Sequence, residues 1–114
     1  MNIKKIALLI SLLGLAVKTI ACDNSTLAYY SWAGLKATPA NMNGQISENE
    51  AKQRHENGEA YYSQLTCDSG EIMSVTKYFA GKVFFNIDYM YQTDGSIMVL
   101  STNADGKVNQ RRVK

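Results

Sequence analysis

Four glycines at turn-like positions divide the second half of the chain into segments of similar length. The pairs Ser69-Gly70, Ala80-Gly81, Asp94-Gly95 and Asp105-Gly106 follow one another at intervals of 11, 14 and 11 residues. Strands of about 7–10 residues joined by tight turns give this spacing. The sequence therefore predicts a series of antiparallel hairpins after Gly58.

Apolar residues alternate with polar ones most clearly in "VFFNIDYMYQ", at residues 83–92. One face of this segment would carry Val83, Phe85, Ile87, Tyr89 and Tyr91. Such alternation is typical of a strand with one buried face. With an aromatic strand at Leu27–Trp32, the pattern predicts a mainly β fold, namely a single antiparallel meander of about five to seven strands.

A polar stretch before the hairpins predicts one short helix. Ser47 and Glu50 match a capping box, and Gly58 suits a helix end. We expect this helix to cover the curved sheet. The preceding stretch at residues 36–45 is rich in Asn, Gly and Pro, and it predicts a loop.

The first 21 residues have the features of an export signal. A short basic start precedes an apolar run from Ile6 to Val17, and small residues stand before Cys22. We therefore expect a signal peptide at residues 1–21, a single β-rich domain at 22–114, and location in the periplasm or cell envelope.

Signal removal changes the charge balance. Lys4, Lys5 and Lys18 leave with the signal, so 12 basic residues become 9 against 10 acidic ones. The remaining chain lacks the basic face that nucleic acids require, so no nucleic-acid partner is predicted. The basic cluster at Arg111, Arg112 and Lys114 is interpreted as a frayed tail.

Two cysteines remain after cleavage, at Cys22 and Cys67. Exported cysteines that occur in pairs usually form disulfides, so a Cys22–Cys67 bond is the favoured prediction. Lipidation of Cys22 is the alternative, and it is the only expected route to a membrane. Thr19 and Lys18 fit a lipid attachment motif poorly.

Candidate catalytic and metal-binding groups are sparse. His55 lies in a polar helix, and no strained turn presents Cys67 as a nucleophile beside it. The methionines are scattered, and the acidic pairs Glu48/Glu50 and Glu56/Glu59 suit a surface helix better than a catalytic cleft. We predict no enzyme activity, no cofactor and no metal.

The aromatic residues are too numerous to fit one face of a sheet. Tyrosine and tryptophan on a rigid outer face suit a protein interface. The residues predicted to contact a protein partner are Tyr30, Trp32, Tyr62, Tyr78, Glu50 and Arg54. The first four are expected to point outward, and the last two lie on the predicted helix.

The segment "YYSWAGLKATP", followed by Tyr-rich hairpins with Asp-Gly turns, resembles a small bacterial family of exported domains of unknown function. The matching positions are Tyr30, Ser31, Gly34, Lys36, Pro39, Lys77, Gly81, Tyr89, Tyr91, Asp94 and Gly95. The hairpin series is also similar to hairpin-repeat immunity and antitoxin-like proteins.

The resemblance carries no catalytic residue, and together with the export signal it implies a periplasmic immunity protein that neutralises a toxin. A structural or accessory envelope protein without one tight partner is the alternative.

Overall fold

The computed structural model describes residues 22–114, and the expected signal peptide at residues 1–21 lies outside the described residues. The elements in this part of the chain are β1 (Ser25–Gly34), β2 (Asn41–Ile46), α1 (Glu48–Glu56), β3 (Tyr61–Cys67), β4 (Ile72–Phe79), β5 (Lys82–Tyr91), β6 (Ile97–Asn103) and β7 (Val108–Val113). The strands form one antiparallel sheet in the order β2-β1-β3-β4-β5-β6-β7. The predicted mainly β class, a single antiparallel sheet with one short helix, is confirmed.

The meander from β3 to β7 follows the predicted turns. Each of its strands pairs with the next one along the chain. The four turn glycines have positive φ angles, a conformation that glycine adopts without a steric penalty, and they are Gly70, Gly81, Gly95 and Gly106. Glycine therefore sets where each strand ends.

Both edges of the sheet differ from the sequence prediction. The predicted loop at residues 36–45 is wrong for its second half, because Asn41–Ile46 pairs with β1 as an edge strand. The predicted frayed tail is also wrong, because Val108–Val113 pairs with β6 along its whole length. In both cases pairing with a neighbouring strand overrides a weak local preference.

The main hydrophobic cluster lies on one face of the sheet. Its buried members are Ala33, Ala40, Tyr62, Val75, Tyr89 and Val99. The connection between β1 and β2 is tied to this face, because the backbone N–H of Ala40 donates to the Tyr89 hydroxyl at 3.0 Å. This connection, and not the helix, covers the cluster.

Helix α1 packs on the opposite face. It begins where predicted, with the Ser47 hydroxyl accepting a hydrogen bond from the Glu50 N–H at 3.1 Å. Ala51 is its buried residue, and the helix contacts β1 and β3. Because successive strand residues point to opposite faces, Tyr61 lies on the helix side and Tyr62 in the main cluster.

A disulfide joins Cys22 to Cys67, across 45 positions of the sequence. It connects the segment before β1 to the end of β3, with 5.6 Å between the two Cα atoms, and Cys67 is buried. The predicted pairing is confirmed, and it indicates a non-reducing compartment. Among residues 22–114, no helix is long and apolar enough to cross a membrane.

Candidate protein-binding surface

The six residues predicted to contact a partner do not form one surface, although Tyr30 and Tyr62 are neighbours on adjacent strands. Trp32 is exposed as expected, at 55%. The expected outward orientation is wrong for Tyr62, which is only 8% exposed and belongs to the main cluster. Tyr30 packs against that cluster and is half-buried. The outward orientation fails for Tyr62 because both faces of β3 are covered, the face of Tyr61 by α1 and that of Tyr62 by the β1–β2 connection.

Tyr78, another of the six, lies beneath the helix. Its ring stacks on Tyr61 with 4.6 Å between centroids, and its hydroxyl accepts a hydrogen bond from Ser63 at 3.4 Å. His55 contributes Nδ1 at 2.9 Å from the Tyr61 hydroxyl. Burial is the main cause that raises the pKa of Tyr61, with Tyr78 and Tyr29 adding to it. These aromatic side chains attach α1 to the sheet.

Glu50 and Arg54, the remaining two, contact each other along the helix. Arg54 donates to the Glu50 carboxylate at 2.9 Å, and its Nη1 also donates to the carbonyl of Ala60 at 3.3 Å. The second contact joins the last turn of α1 to the residue that precedes β3. Both side chains therefore have a local structural role.

The most concentrated exposed apolar surface lies on the β4–β5 hairpin. Phe79, Val83 and Phe84 are each about half exposed, and they fall within six positions of the sequence. The rings of Phe79 and Phe84 meet edge to face at 6.2 Å. We call the two contacting residues Phe79 and Phe84 the hairpin patch; Val83 pairs with Tyr78 and therefore lies on the helix side of the sheet.

A β-bulge at Phe84 builds this patch. Lys77 pairs with Phe85, but the next residue of β4, Tyr78, pairs with Val83, so Phe84 is an extra residue in β5. A bulge of this kind breaks the alternation of side chains and redirects one of them. The centroid of the Phe84 ring thereby lies 6.1 Å from that of Phe85 and 6.2 Å from that of Phe79.

Lysines accompany the hairpin patch. The Lys77 ammonium lies 5.2 Å from the centre of the Phe84 ring and 5.7 Å from that of Tyr62. Within residues 22–114, the ion pairs join Arg54 to Glu50 and Arg112 to Asp94, so neither Lys77 nor Lys82 is in one. The patch therefore combines apolar area with cations available to an acidic partner.

A shallow groove of about 580 Å³ continues from the patch toward β7. Phe85, which contacts Phe84, lines the groove together with Lys107 and Val108. Val108 is itself exposed at 60%. The groove thus runs from Phe85, beside the hairpin patch, to the start of the last strand.

Sequence reasoning missed the hairpin patch, although the sequence contains a signal for it. Val83, Phe84 and Phe85 are three consecutive apolar residues at the start of a strand. Because strand residues alternate between faces, one face could not bury all three. The prediction placed Val83 on the buried face, and this is wrong because the bulge follows it directly.

Cys67 and His55, the pair considered for nucleophilic catalysis, each contact another residue in the structure. The Cys67 sulfur is bonded to Cys22, and His55 is engaged by Tyr61 instead of facing solvent alone. The same disulfide occupies the Cys22 sulfur that a thioether-linked lipid would need. Asp68 lies close to both sulfurs, but a disulfide offers no thiolate ligand to a metal.

Comparison with known proteins gives no family to which the chain can be assigned: no family model, no curated protein and no solved structure matches it.

Proposed function

We propose that this chain is an exported, non-enzymatic protein that binds a protein partner through the hairpin patch. The observation that carries the proposal is the contact between two half-exposed aromatic rings, those of Phe79 and Phe84, on one hairpin. Soluble proteins seldom expose large apolar side chains side by side unless the surface binds something. Phenylalanine is also among the residues enriched in protein interfaces.

The bulge gives this proposal its strongest support. A regular strand would have pointed Phe84 away from Phe85, whereas the bulge keeps the two rings within 6.1 Å. Bulges commonly redirect a side chain next to a functional site. Lys77 and Lys82 supply positive charge around the apolar centre, which favours a partner with an acidic rim.

Stoichiometric binding is proposed in preference to catalysis. The two groups that a thiol-based mechanism would use already have structural partners, since Cys67 is bonded to Cys22 and His55 contacts Tyr61. A surface of aromatic rings and lysines offers the contact area and charge that binding a protein requires. The export signal expected at residues 1–21 would place this binding in the periplasm or envelope.

The specific form that we propose is a periplasmic immunity protein that binds and neutralises a toxin delivered by a neighbouring cell. The support is the disulfide, together with two expectations from the sequence: the export signal at residues 1–21 and the resemblance of the hairpin series to immunity-like proteins. A cell that lacks the protein should then lose in competition against neighbours that deliver the toxin. Equal survival of cells with and without the protein would contradict the immunity role. Binding of a partner through the hairpin patch is tested separately, as follows.

The binding proposal is tested by comparing two sets of substitutions. Phe79→Ser with Phe84→Ser removes the aromatic part of the patch, and Leu27→Ser is the matched control, because Leu27 is as exposed as Phe79, at 51%, but lies on β1. Each protein is incubated with envelope extract and analysed by size-exclusion chromatography with light scattering.

We expect the wild type and Leu27→Ser to form the same stoichiometric complex, and the double variant to lose it while keeping its unfolding temperature. A complex that survives loss of both phenylalanines would contradict the proposal. The accessory envelope role would be supported instead by two results together. The wild-type protein would remain a monomer in the extract, and cells without the protein would have a weakened envelope.

A further inference from the structure

The last strand, β7, forms an open edge of the sheet. Val108–Val113 pairs with β6 on one side, and in the described part of the chain its backbone has no hydrogen bond to any other backbone segment. An edge strand presents a row of N–H and C=O groups that can pair with a further strand.

The β6–β7 turn determines which groups point outward. Asn103 donates its N–H to the carbonyl of Lys107 at 3.0 Å, so these two residues form a hydrogen-bonded pair. Such pairs alternate along an antiparallel ladder. Asn109, Arg111 and Val113 therefore direct their backbone groups toward β6. Val108, Gln110 and Arg112 direct theirs away from the sheet.

The opposite edge of the sheet, strand β2, has an irregular backbone, whereas β7 is regular. In β2, Gly44 has a φ of 70°, which breaks the extended backbone. Its N–H is taken by the side-chain oxygen of Asn43 at 2.8 Å. Irregular edges of this kind resist strand pairing. Of the two edges, β7 is the one whose backbone is suited to accept another strand.

The charge of β7 determines what kind of strand it would accept. Residues 107–114 carry four cations and no acidic group, and the cations are Lys107, Arg111, Arg112 and Lys114. Asp94 contacts one of them, Arg112, at 3.6 Å. Two such edges would repel each other, which disfavours a second copy of this chain. An acidic strand would be attracted.

The edge is also continuous with the hairpin patch. Val108 begins β7 and lines the same groove as Phe85, and Phe85 contacts Phe84. A partner that covers the patch would therefore lie next to the outward backbone of β7.

We propose that the β7 edge binds an extended acidic segment of the protein partner by strand addition. The segment pairs with the outward backbone groups of Val108, Gln110 and Arg112, and its carboxylates lie near the cations of residues 107–114. This inference rests on the proposed function, because it identifies the chemistry of the partner bound there.

The experiment uses the purified, disulfide-bonded protein and a capped peptide of four Glu-Val repeats. Binding is followed by NMR together with amide hydrogen exchange. We expect the amides of Val108, Gln110 and Arg112 to exchange at least about tenfold more slowly when the peptide is bound. Those of Asn109 and Arg111, which already pair with β6, should change little. Higher salt should weaken binding, because it screens the charges.

Substitution at Gln110 separates backbone pairing from simple charge attraction. Gln110→Pro removes an outward N–H, and an edge strand tolerates proline at such a position. Gln110→Ala keeps that N–H and is the matched control. We expect the proline variant to bind the Glu-Val peptide about tenfold more weakly than the alanine variant, as loss of a hydrogen bond predicts.

Three outcomes would overturn the inference. The first is equal binding by the two Gln110 variants. The second is binding of a Lys-Val peptide as tightly as the Glu-Val peptide. The third is failure of the outward amides to gain protection at millimolar peptide, which would mean that the charges only guard the edge against aggregation.

This test and that of the proposed function fail separately. The variant with Phe79→Ser and Phe84→Ser should still bind the peptide, since its β7 edge is unchanged. Suppose that this variant loses the envelope complex but the wild type does not bind the peptide. That result overturns strand addition alone. Suppose instead that the peptide binds at β7 and that the envelope complex forms without the two phenylalanines. That result overturns the role of the hairpin patch alone.

Discussion

The hydroxyl of Tyr89 on β5 accepts a hydrogen bond from the backbone N–H of Ala40, 3.0 Å away and 49 positions earlier in the sequence. Both residues are almost completely buried, at 3% and 2% exposure. The contact joins the β1–β2 connection to the centre of the sheet. It therefore contributes to keeping the main hydrophobic cluster covered.

Tyr89→Phe should destabilise the protein. The substitution keeps the ring but leaves the Ala40 N–H buried without its partner, which costs about 1–3 kcal/mol. Urea unfolding measures the difference. Tyr62→Phe is the matched control, because Tyr62 is buried in the same cluster and its hydroxyl has no hydrogen-bond partner among the described residues. Equal effects of the two substitutions would show that the Tyr89 contact contributes nothing specific.

The Cys22–Cys67 disulfide should be detected by intact mass and should stabilise the fold. The exported protein should be lighter by two hydrogens than its reduced form. Joint replacement of both cysteines by serine should lower the free energy of unfolding by about 2–4 kcal/mol, as expected for closing a loop of this length. Reduction of the wild type should give a similar loss. A diacylglyceryl mass on Cys22 would contradict this prediction and favour the lipid-anchored form.

A substitution in the turn at Ala80 and Gly81 should make the protein more stable. Both residues have positive φ angles, 55° and 72°, as a type I′ hairpin turn requires. Alanine is unfavourable in that conformation by about 1–2 kcal/mol, whereas the flexibility that glycine adds to the unfolded chain costs about 0.5–1 kcal/mol.

Ala80→Gly should therefore raise the free energy of unfolding by about 0.5–1 kcal/mol. Ala28→Gly is the control, since Ala28 lies inside β1 without a positive φ, and there glycine should destabilise. Thermal unfolding of both variants measures the effect. Destabilisation by both would mean that the left-handed conformation of Ala80 carries no penalty in this turn.

The sequence was sufficient for the parts of the fold that depend on local chemistry. The glycine turns and the Ser47 cap are fixed by backbone preferences of single residues, and they lie where predicted. The alternation of β5 also identified Phe85, Ile87 and Tyr89 as residues that pack together. These features need no knowledge of distant partners.

The rest depends on pairing and cover that the sequence does not encode locally. The strand β7 reads "VNQRRV" and has no apolar alternation, so only its ladder with β6 makes it a strand. Tyr61 and Tyr62 lie on opposite faces of β3, and the cover over each face depends on where α1 and the β1–β2 connection pack, which the local sequence does not determine. The hairpin patch depends on a bulge, and one inserted residue changes the side chains beyond it.

The β5–β6 turn should make stability depend on acidic pH through Asp94. Ser96 donates its hydroxyl and its backbone N–H to one Asp94 carboxylate oxygen, at 2.6 and 2.9 Å. These hydrogen bonds are the main cause that holds the pKa of Asp94 below its ordinary value of 3.8, and Lys114 and Arg112 add smaller contributions. Because the folded-state pKa is the lower one, the stabilisation is complete above pH 3.8 and is lost as the pH falls through the folded-state value.

Asp94→Asn keeps an oxygen that can accept from Ser96 but removes the charge. The wild type should therefore be more stable than this variant at about pH 6, and the difference should shrink as the pH falls to about 2. Urea unfolding across that range measures it. Asp105→Asn removes a charge from the corresponding position of the β6–β7 turn and controls for the overall change in net charge. A difference between wild type and Asp94→Asn that stays constant with pH would contradict the proposed role of the ionised carboxylate.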